Sequence, residues 1–195
     1  MLHLLLSTAA LAGALTSMPM AADTASYNID KGHSELVFRI RHIMSRVSGT
    51  FTEWKGTITG DPATWTGGSA AVVIQAASID TRLEKRDSHL RSADFFDTTN
   101  YPEITFRSTS VVVAGTAVTL KGDLMIRGVS KAVTLTGQYL GISGEGMKQR
   151  VGFHVTGSLN RLDYGLAWNQ ALETGGLLLG DDVELDISIE AVRAS

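Results

Sequence analysis

The chain has 195 residues, an apolar content of 44% and a formal net charge of −3, which suits one folded domain with a substantial core and excludes a disordered chain. It contains no cysteine, so disulfides, thiolate metal sites and cysteine nucleophiles are excluded. Its 17 basic residues are opposed by 20 acidic ones and form no basic block, which argues against a nucleic-acid-binding protein.

Residues 1–22 have the pattern of a signal peptide. Residues 4–15 form an apolar stretch that is shorter than the roughly 20 residues needed to span a bilayer. Small residues follow, so we expect cleavage near Ala22 and export to the periplasm, with residues 23–195 as the mature domain. An uncleaved anchor is the alternative, since His3 precedes the apolar stretch but Lys and Arg do not.

Alternation of apolar and polar residues with a period of two begins at Tyr27 and predicts β-strands through the rest of the chain. It is clearest over residues 183–191, where every second side chain is apolar. Gly115 and Gly128 mark tight turns between strands. The predicted strands cover residues 36–42, 47–51, 55–59, 70–76, 104–113, 118–126, 131–140, 151–159 and 183–191.

One segment, residues 80–91, interrupts the alternation and is rich in polar helix formers. We expect a short helix there, with Asp80 or Thr81 as its N-cap and with Leu83 and Leu90 facing the sheet. No run of helices separates the strands, which excludes a parallel βαβ architecture. An antiparallel sandwich or barrel of roughly eight to ten strands remains.

The apolar faces of these strands enclose an interior if the sheet closes on itself. Eight strands leave room for a packed core or for one small ligand, and both alternatives stay open at this point. Gly122, Gly137 and Gly157 fall among the inward positions, where the lack of a side chain favours empty space. The larger inward apolar residues are Leu36, Phe38, Ile40, Phe51, Ile104, Phe106, Leu124, Ile126, Phe153, Val155 and Leu185.

Polar residues beside the strands allow several kinds of chemistry. His33, His42 and His89 with Asp87 could form a divalent-metal site or an acid/base pair, although no short metal-binding spacing joins them. No Gly-x-Ser-x-Gly motif of a hydrolase is present. Ion pairs and hydrogen bonds that tie the helix to the sheet are the simpler interpretation. Arginines at a tunnel mouth would instead bind an anionic head group, since a guanidinium pairs with phosphate through two hydrogen bonds.

The order of short motifs along the chain resembles the YceI-like family. Residues 86–97 (RDSHLRSADFFD) carry the most specific single block of this resemblance. Together the motifs run from Tyr27 to about Val192, nearly the whole predicted mature chain. The other matching segments are residues 27–34, 47–51, 78–81, 101–106, 122–131, 152–153 and 160–165.

The resemblance implies an all-β, lipocalin-like antiparallel β-barrel of about eight strands, with one short helix and a hydrophobic interior tunnel. It also implies a secreted carrier for a polyisoprenoid or a similar long-chain amphiphile such as a fatty amide, linked to the handling of isoprenoid quinones. No catalytic residue, metal or cofactor is expected. We expect neither nucleic acid nor stable membrane insertion, and the edge strands make a homodimer conceivable.

Carried onto this chain, the resemblance turns the inward residues into tunnel lining and places polar and aromatic residues at its mouth. The alternatives are an enzyme that acts on an isoprenoid lipid through Asp87 and His89, and a stress-related structural barrel that binds nothing. The expected lining residues are Leu36, Phe38, Ile40, Phe51, Phe106, Leu124, Ile126, Phe153 and Val155. The expected mouth residues are His42, Arg86, His89, Phe95, Phe96 and Arg161, with Phe95 and Phe96 as a flap.

Overall fold

The computed structural model describes residues 24–65, 67–173 and 175–195, so the predicted signal peptide lies outside the described residues. The described part forms eleven β-strands and one α-helix, α1 (Glu84–Arg91). The strands are β1 (Ala25–Ile29), β2 (Glu35–His42), β3 (Ser45–Phe51), β4 (Trp54–Gly60), β5 (Ser69–Gln75), β6 (Ile79–Asp80), β7 (Glu103–Ala114), β8 (Ala117–Ile126), β9 (Val129–Ser143), β10 (Arg150–Asn160) and β11 (Leu179–Arg193).

The strands close into an antiparallel β-barrel. Eight of them follow one another around the barrel in the order β1-β4-β5-β7-β8-β9-β10-β11, and β11 pairs again with β1 to complete the ring. Successive strands are joined mainly by short turns, in which Gly115 and Gly128 adopt positive φ angles. The predicted eight-stranded antiparallel barrel is therefore confirmed.

The last strand, β11, pairs with β10 along one edge and is long enough to pair with two further strands along its other edge. Its C-terminal residues pair with β1, whereas its first half pairs with β2, which continues into β3. β3 pairs with β6 only at Thr50 and Phe51, so residues 45–49 have an edge with no strand partner among the described residues. Thr81, three residues before α1, packs against this edge beside Gly49. Beside residues 45–49 the barrel wall is thus completed by a helix and its preceding turn rather than by another strand.

The alternation predicted for residues 183–191 is observed in β11. Val183 and Leu185 face the barrel interior, whereas Asp186 lies on the outer face between β2 and β10. The Asp186 carboxylate is 2.9 Å from both His154 Nε2 and Arg39 Nη1, and these two hydrogen bonds lower the pKa of Asp186. β1 and β6, which are short, have no counterpart among the predicted strands.

The helix begins later than its sequence predicted. α1 starts at Glu84 with Leu83 in the N-cap position, not with Asp80 or Thr81. The reason is local, because the Asp80 carboxylate accepts a hydrogen bond from the backbone N–H of Arg82 at 2.7 Å and holds a turn there. Leu83 is 53% exposed at the rim but borders the cavity, and Leu90 faces inward as expected. No helix in the described ranges is long and apolar enough to cross a bilayer.

Two groups of buried residues stand at opposite ends of the barrel. One surrounds Trp65 and Tyr27 where β1 begins and β4 ends, and the other surrounds Phe95 and Tyr164 near α1. We call the first end the closed end and the second the mouth. The interior between them is hollow, and it forms the site described next.

Candidate functional site

A cavity of about 620 Å³ occupies the barrel between the closed end and the mouth. Its wall is made almost entirely of aliphatic and aromatic side chains that alternate inward along the strands. This volume lies in the range of pockets that hold small molecules, and it excludes the alternative of a barrel with a solid core. All nine residues expected to line a tunnel lie on this wall, together with further inward residues such as Val72, Ile74, Leu120 and Leu135.

The closed end is sealed by aromatic rings. Trp65 is 2% exposed, and its ring centroid lies 5.0 Å from that of Phe153, 5.6 Å from that of Tyr139 and 5.9 Å from that of Tyr27. The Trp65 backbone adopts a φ of 55°, and its N–H donates to the carbonyl oxygen of Asp61 at 2.6 Å. Sequence reasoning missed this plug, because Trp65 sits between two turn signals where no strand alternation marks its direction.

The mouth is formed by α1, by the turn between β2 and β3, and by the segment before β11. The backbone N–H of Ile43 in that turn donates to the carbonyl oxygen of Leu178 at 2.9 Å, which ties two sides of the rim together. His42, Arg86 and His89, three of the expected mouth residues, lie on the cavity wall here. Lys85 also lines the cavity and was not among the expected mouth residues.

The two phenylalanines expected to form a flap are packed in place. Phe95 is 6% exposed, with its ring centroid 5.1 Å from that of His89 and 5.3 Å from that of Trp168. Phe96 packs edge-on against Phe51 at 6.0 Å. Both line the cavity, but Phe95 belongs to the buried core beneath the rim rather than to an exposed flap. Apolar burial explains this difference, since a core aromatic loses contact area when it swings out.

Arg86 is held in position by a chain of hydrogen bonds. Its Nε donates to the Thr81 hydroxyl oxygen at 2.7 Å, and its Nη2 donates to the Thr81 carbonyl oxygen at 2.7 Å. Thr81 in turn donates its hydroxyl and its backbone N–H to the carboxylate of Asp87, which is 4% exposed. Asp87 therefore positions Thr81, and Thr81 positions Arg86 on the cavity wall.

Asp87 and His89 do not act as a pair. The Asp87 carboxylate is engaged by Thr81, whereas His89 Nε2 lies 2.9 Å from a carboxylate oxygen of Asp94. The His89 ring also packs edge-on against Trp168, with centroids 4.8 Å apart. The geometry required by the acid/base hypothesis, in which Asp87 would orient His89, is absent from the described residues.

Arg161 differs from the expectation of a free head-group contact. It is 2% exposed, and it donates to the carbonyl oxygens of Leu166, Trp168 and Gly180 and to the Asp181 carboxylate. Burial lowers the pKa of Arg161, against the opposing effect of Asp181. The Arg161 guanidinium thus holds the segment between the 3₁₀ turn Arg161–Tyr164 and β11 in place at the mouth, and few of its N–H donors remain for a ligand.

The histidines named as candidate metal ligands lie at different places. His42 and His89 line the cavity, but His33 is on the outer surface, where its Nδ1 lies 2.9 Å from an Asp30 carboxylate oxygen. The carboxylates of Asp30 and Glu190 share Arg150, which lies 3.0 Å from Asp30 and also contacts Glu190. Hydrogen bonding to Arg150 lowers the pKa of Asp30. The guanidinium thus takes the place that a cation would need beside these two carboxylates.

The glycines within the strands do not supply the empty space expected of them. A Cβ atom on Gly122 would lie 2.5 Å from the ring of Phe106, one on Gly137 only 2.0 Å from the carbonyl oxygen of His154, and one on Gly157 2.6 Å from Leu135. These positions are glycine because neighbouring atoms approach them closely. The hollow interior comes from the closure of the barrel.

Comparisons with known proteins agree with the motifs and the barrel. A profile of the YceI-like domain matches residues 27–191. The chain belongs to the YceI-like family. Among its YceI-like relatives, UPF0312 protein SA2479 of Staphylococcus aureus (strain N315) is 40% identical over 168 residues, which is 85% of this chain and 96% of that protein. The family resemblance drawn from the motifs is confirmed.

Solved structures of YceI-like and related barrels superpose on this chain. The Campylobacter jejuni YCEI protein is 32% identical with a TM-score of 0.70, covering 80% of this chain and 91% of that one. Burkholderia cenocepacia BcnA is 22% identical with a TM-score of 0.71, covering 83% and 98%. A polyisoprenoid binding domain from Saccharophagus degradans is 18% identical with a TM-score of 0.67, covering 87% and 99%. At these lower identities the last two show a shared fold alone.

Proposed function

We propose that this YceI-like protein is a periplasmic carrier that holds a polyisoprenoid or a similar long-chain amphiphile inside its barrel. The observation that carries the proposal is the apolar cavity of about 620 Å³, which is sealed by Trp65 at one end and has its charged side chains gathered at the other. A chain-like molecule with one polar end fits this distribution, because its hydrocarbon meets apolar wall and its head group meets the mouth.

The energetics favour hydrocarbon over any compact polar ligand. Each methylene transferred from water to such a wall contributes about 0.8 kcal/mol, so affinity grows with the length of chain inside the cavity. The nine expected lining residues from β2, β3, β7, β8 and β10 would contact this chain. His42, Arg86 and His89 would meet the head group, since all three reach the same cavity near its opening.

The structural similarity to a domain from Saccharophagus degradans also supports the proposal. That protein is described as a polyisoprenoid binding domain, and it has the same barrel fold. The proposal transfers the class of ligand and nothing more specific. Binding without turnover is proposed here, in line with the separation of Asp87 from His89.

Mass spectrometry of solvent extracts from the purified protein tests the proposal directly. We expect a long-chain amphiphile to co-purify or, after delipidation, added prenyl compounds of increasing length to bind with increasing affinity. The absence of both a co-purifying lipid and any binding of added prenyl compounds would refute the carrier function.

A matched pair of variants tests whether the cavity is the binding place. Ala70 of β5 faces the cavity, whereas Ala71 is the next residue along the strand and faces outward. We expect Ala70→Phe to shorten the longest chain that binds, because the added ring fills part of the lumen. Ala71→Phe is the control and should leave the length preference unchanged. Equal effects of the two variants would contradict the lining assignment.

The proposed periplasmic location can be tested separately. Residues 1–22 carry the predicted signal peptide, so we expect the mature protein from a bacterial host to begin near Asp23 and to fractionate with the periplasm. N-terminal sequencing and cell fractionation check this. An N-terminus that retains residues 4–15 together with membrane fractionation would instead indicate the uncleaved anchor.

A further inference from the structure

Strand pairing leaves a gap in the barrel wall where β1 leads into β2 and β3 leads into β4. β1 pairs with β4 as far as Asn28, and β2 pairs with β3 from Val37 onwards. Between these two ladders, no backbone hydrogen bond joins residues 30–34 to residues 52–55 in the part of the chain that the structure describes. We call this gap, bordered by residues 30–34 and 52–55, the side window. Its closure depends on side chains, whereas paired strands close a wall with backbone hydrogen bonds.

A groove of about 370 Å³ lies at the side window, outside the main cavity. Leu36, Val37 and Phe51 line both the groove and the cavity, so the two spaces are one layer of residues apart. Trp54, which is 9% exposed, lines the groove but not the cavity. A hydrocarbon chain can therefore pass from the groove to the cavity when the side chains of Leu36 and Phe51 change rotamer, and no strand pair has to break.

Lys31 spans the side window on its outer side. Its Nζ donates to the carbonyl oxygen of Thr52 at 2.7 Å and lies 3.4 Å from Oε1 of Glu53, whose side chain is also exposed. No other side chain of residues 30–34 bonds directly to residues 52–55 within the described ranges. An exposed pair of this kind contributes little to stability, so it breaks easily when the window opens.

The mouth, by contrast, is framed by main chain that is held in hydrogen bonds. The backbone N–H of Ile43 donates to the carbonyl oxygen of Leu178, and Arg161 donates to backbone carbonyl oxygens of the segment before β11. These bonds fix the width of the mouth, because widening it would break several of them together. The aliphatic and aromatic side chains at the side window move by rotamer changes instead, without loss of a backbone hydrogen bond.

From these contacts we infer that long-chain amphiphiles enter and leave the lumen through the side window, with Leu36 and Phe51 as its gate and Lys31 as its latch. The inference rests on the proposed carrier function and adds the route by which its ligand exchanges. The groove is apolar beside Leu36, Phe51 and Trp54, so it holds a segment of hydrocarbon before that segment passes inward. A gate changes the rates of uptake and release by the same factor and leaves the equilibrium affinity unchanged, because the free and loaded states are the same.

A cross-link placed across the side window tests this route. The chain contains no cysteine, so Lys31→Cys/Thr52→Cys can be joined selectively by a short bismaleimide, and the same variant capped with N-ethylmaleimide is the reference. Each protein is loaded with geranylgeraniol before the reaction and then mixed with excess phosphatidylcholine vesicles. Stopped-flow tryptophan fluorescence follows the release, since Trp65 and Trp168 line the cavity. We expect the cross-link to slow release at least about tenfold, a barrier higher by about 1.4 kcal/mol, with an unchanged Kd.

Two further cross-links serve as controls. Thr119→Cys/Thr136→Cys joins residues that already pair across β8 and β9, so linking them should leave the release rate unchanged. Ile43→Cys/Leu177→Cys joins two sides of the mouth rim and reports exchange through the mouth, and we expect it to slow release less than the link across the side window. An unchanged release rate in the window-linked protein, or slower release with the rim link alone, would overturn the side window as the route and leave the carrier function standing.

The latch has a test that needs no cross-link. Lys31→Ala should speed release about threefold, the size expected for the loss of an exposed ion pair. Lys55→Ala, at an exposed lysine of β4 that does not line the groove, is the matched control and should leave the rate unchanged. Equal release rates in these two variants would contradict the latch. If the wild-type protein binds neither geranylgeraniol nor any longer prenyl compound, the carrier function falls and takes the inference with it.

Discussion

The two ends of the barrel are held together by different interactions. At the closed end, Trp65 is clamped between aromatic rings, and its burial is nearly complete. At the mouth, Arg161 and Thr81 organise the structure through hydrogen bonds, and half-buried rings such as Trp168 stand beside exposed leucines. Apolar packing suits the end that stays sealed, whereas directional hydrogen bonds hold a rim open without filling it. The difference shows how a barrel can have a lumen open at one end without losing its core.

The largest expected effect concerns the closed end. We expect Trp65→Ala to lower the free energy of unfolding by about 3–5 kcal/mol, because it removes a fully buried ring and leaves a void among Tyr27, Tyr139 and Phe153. Trp168→Ala at the half-buried mouth is the matched control, with a loss of about 1–2 kcal/mol. Urea denaturation followed by circular dichroism measures both. Similar losses at the two ends would remove the distinction between them.

The next effect tests the hydrogen-bonded framework of the mouth. Arg161→Gln should lower the free energy of unfolding by about 2–4 kcal/mol, because the buried or partly buried hydrogen bonds to the carbonyl oxygens of Leu166, Trp168 and Gly180 are lost. Arg41→Gln, at an exposed arginine of the same rim, should change it by no more than about 0.5 kcal/mol. The same denaturation experiment applies, and an Arg161→Gln variant as stable as Arg41→Gln would contradict a structural role for this guanidinium.

A smaller effect arises from a phenol buried near the mouth. The Tyr164 hydroxyl has no hydrogen-bond partner among the described residues, and burial raises the pKa of Tyr164 to about 12. We expect Tyr164→Phe to be neutral or to stabilise by about 1 kcal/mol at pH 8, because it removes an unsatisfied polar group.

The same variant has a pH signature with a defined sign. Between pH 10 and 12 the unfolded Tyr164 loses its proton while the folded one keeps it, so the wild-type protein loses stability as the pH rises. Tyr164→Phe lacks this group and should show a shallower decline above pH 10. Denaturation midpoints measured from pH 8 to pH 11 compare the two proteins. Parallel pH profiles would contradict the raised pKa of Tyr164.

The smallest expected effect is a gain at the rim. Ile43, in the turn between β2 and β3, has a φ of 52° and is 43% exposed. A β-branched residue is strained in this left-handed region, so Ile43→Gly should raise the free energy of unfolding by about 0.5–1 kcal/mol. Met44→Gly, at the neighbouring fully exposed residue without a positive φ, should bring no gain. Thermal unfolding measures both, and a loss of Tm in Ile43→Gly would show that side-chain contacts outweigh the strain.

Much of the fold was predictable because antiparallel strands leave a strong local signature. Each predicted strand overlaps an observed one, since a side chain that alternates between core and solvent must alternate in polarity along the chain. The start of α1 was predicted wrongly, because Asp80 and Thr81 are good N-caps by composition but are used for a turn and for Asp87. Local sequence does not distinguish these uses of the same side chain.

Part of the site was predictable for the same reason. The alternation placed Phe38 and Leu124 on the inner wall, and the motif around Arg86 placed that residue at the mouth. Lys85 was missed, because it lies on a polar helix and stays exposed to solvent even though it borders the cavity. The role of Trp65 was also missed, since its contacts are with residues far away in the chain.

By itself, the sequence determined that this is a single antiparallel β domain without disulfides, because composition and period-two alternation act residue by residue. The tertiary structure alone decided that the barrel is hollow. Gly122 and Gly137 illustrate why. In the sequence they suggest empty space, but in the fold the space beside Gly122 is occupied by the Phe106 ring and the space beside Gly137 by the backbone of His154. Whether the interior is full or empty depends on the spacing between strands that are far apart in the sequence. No local sequence pattern specifies that spacing.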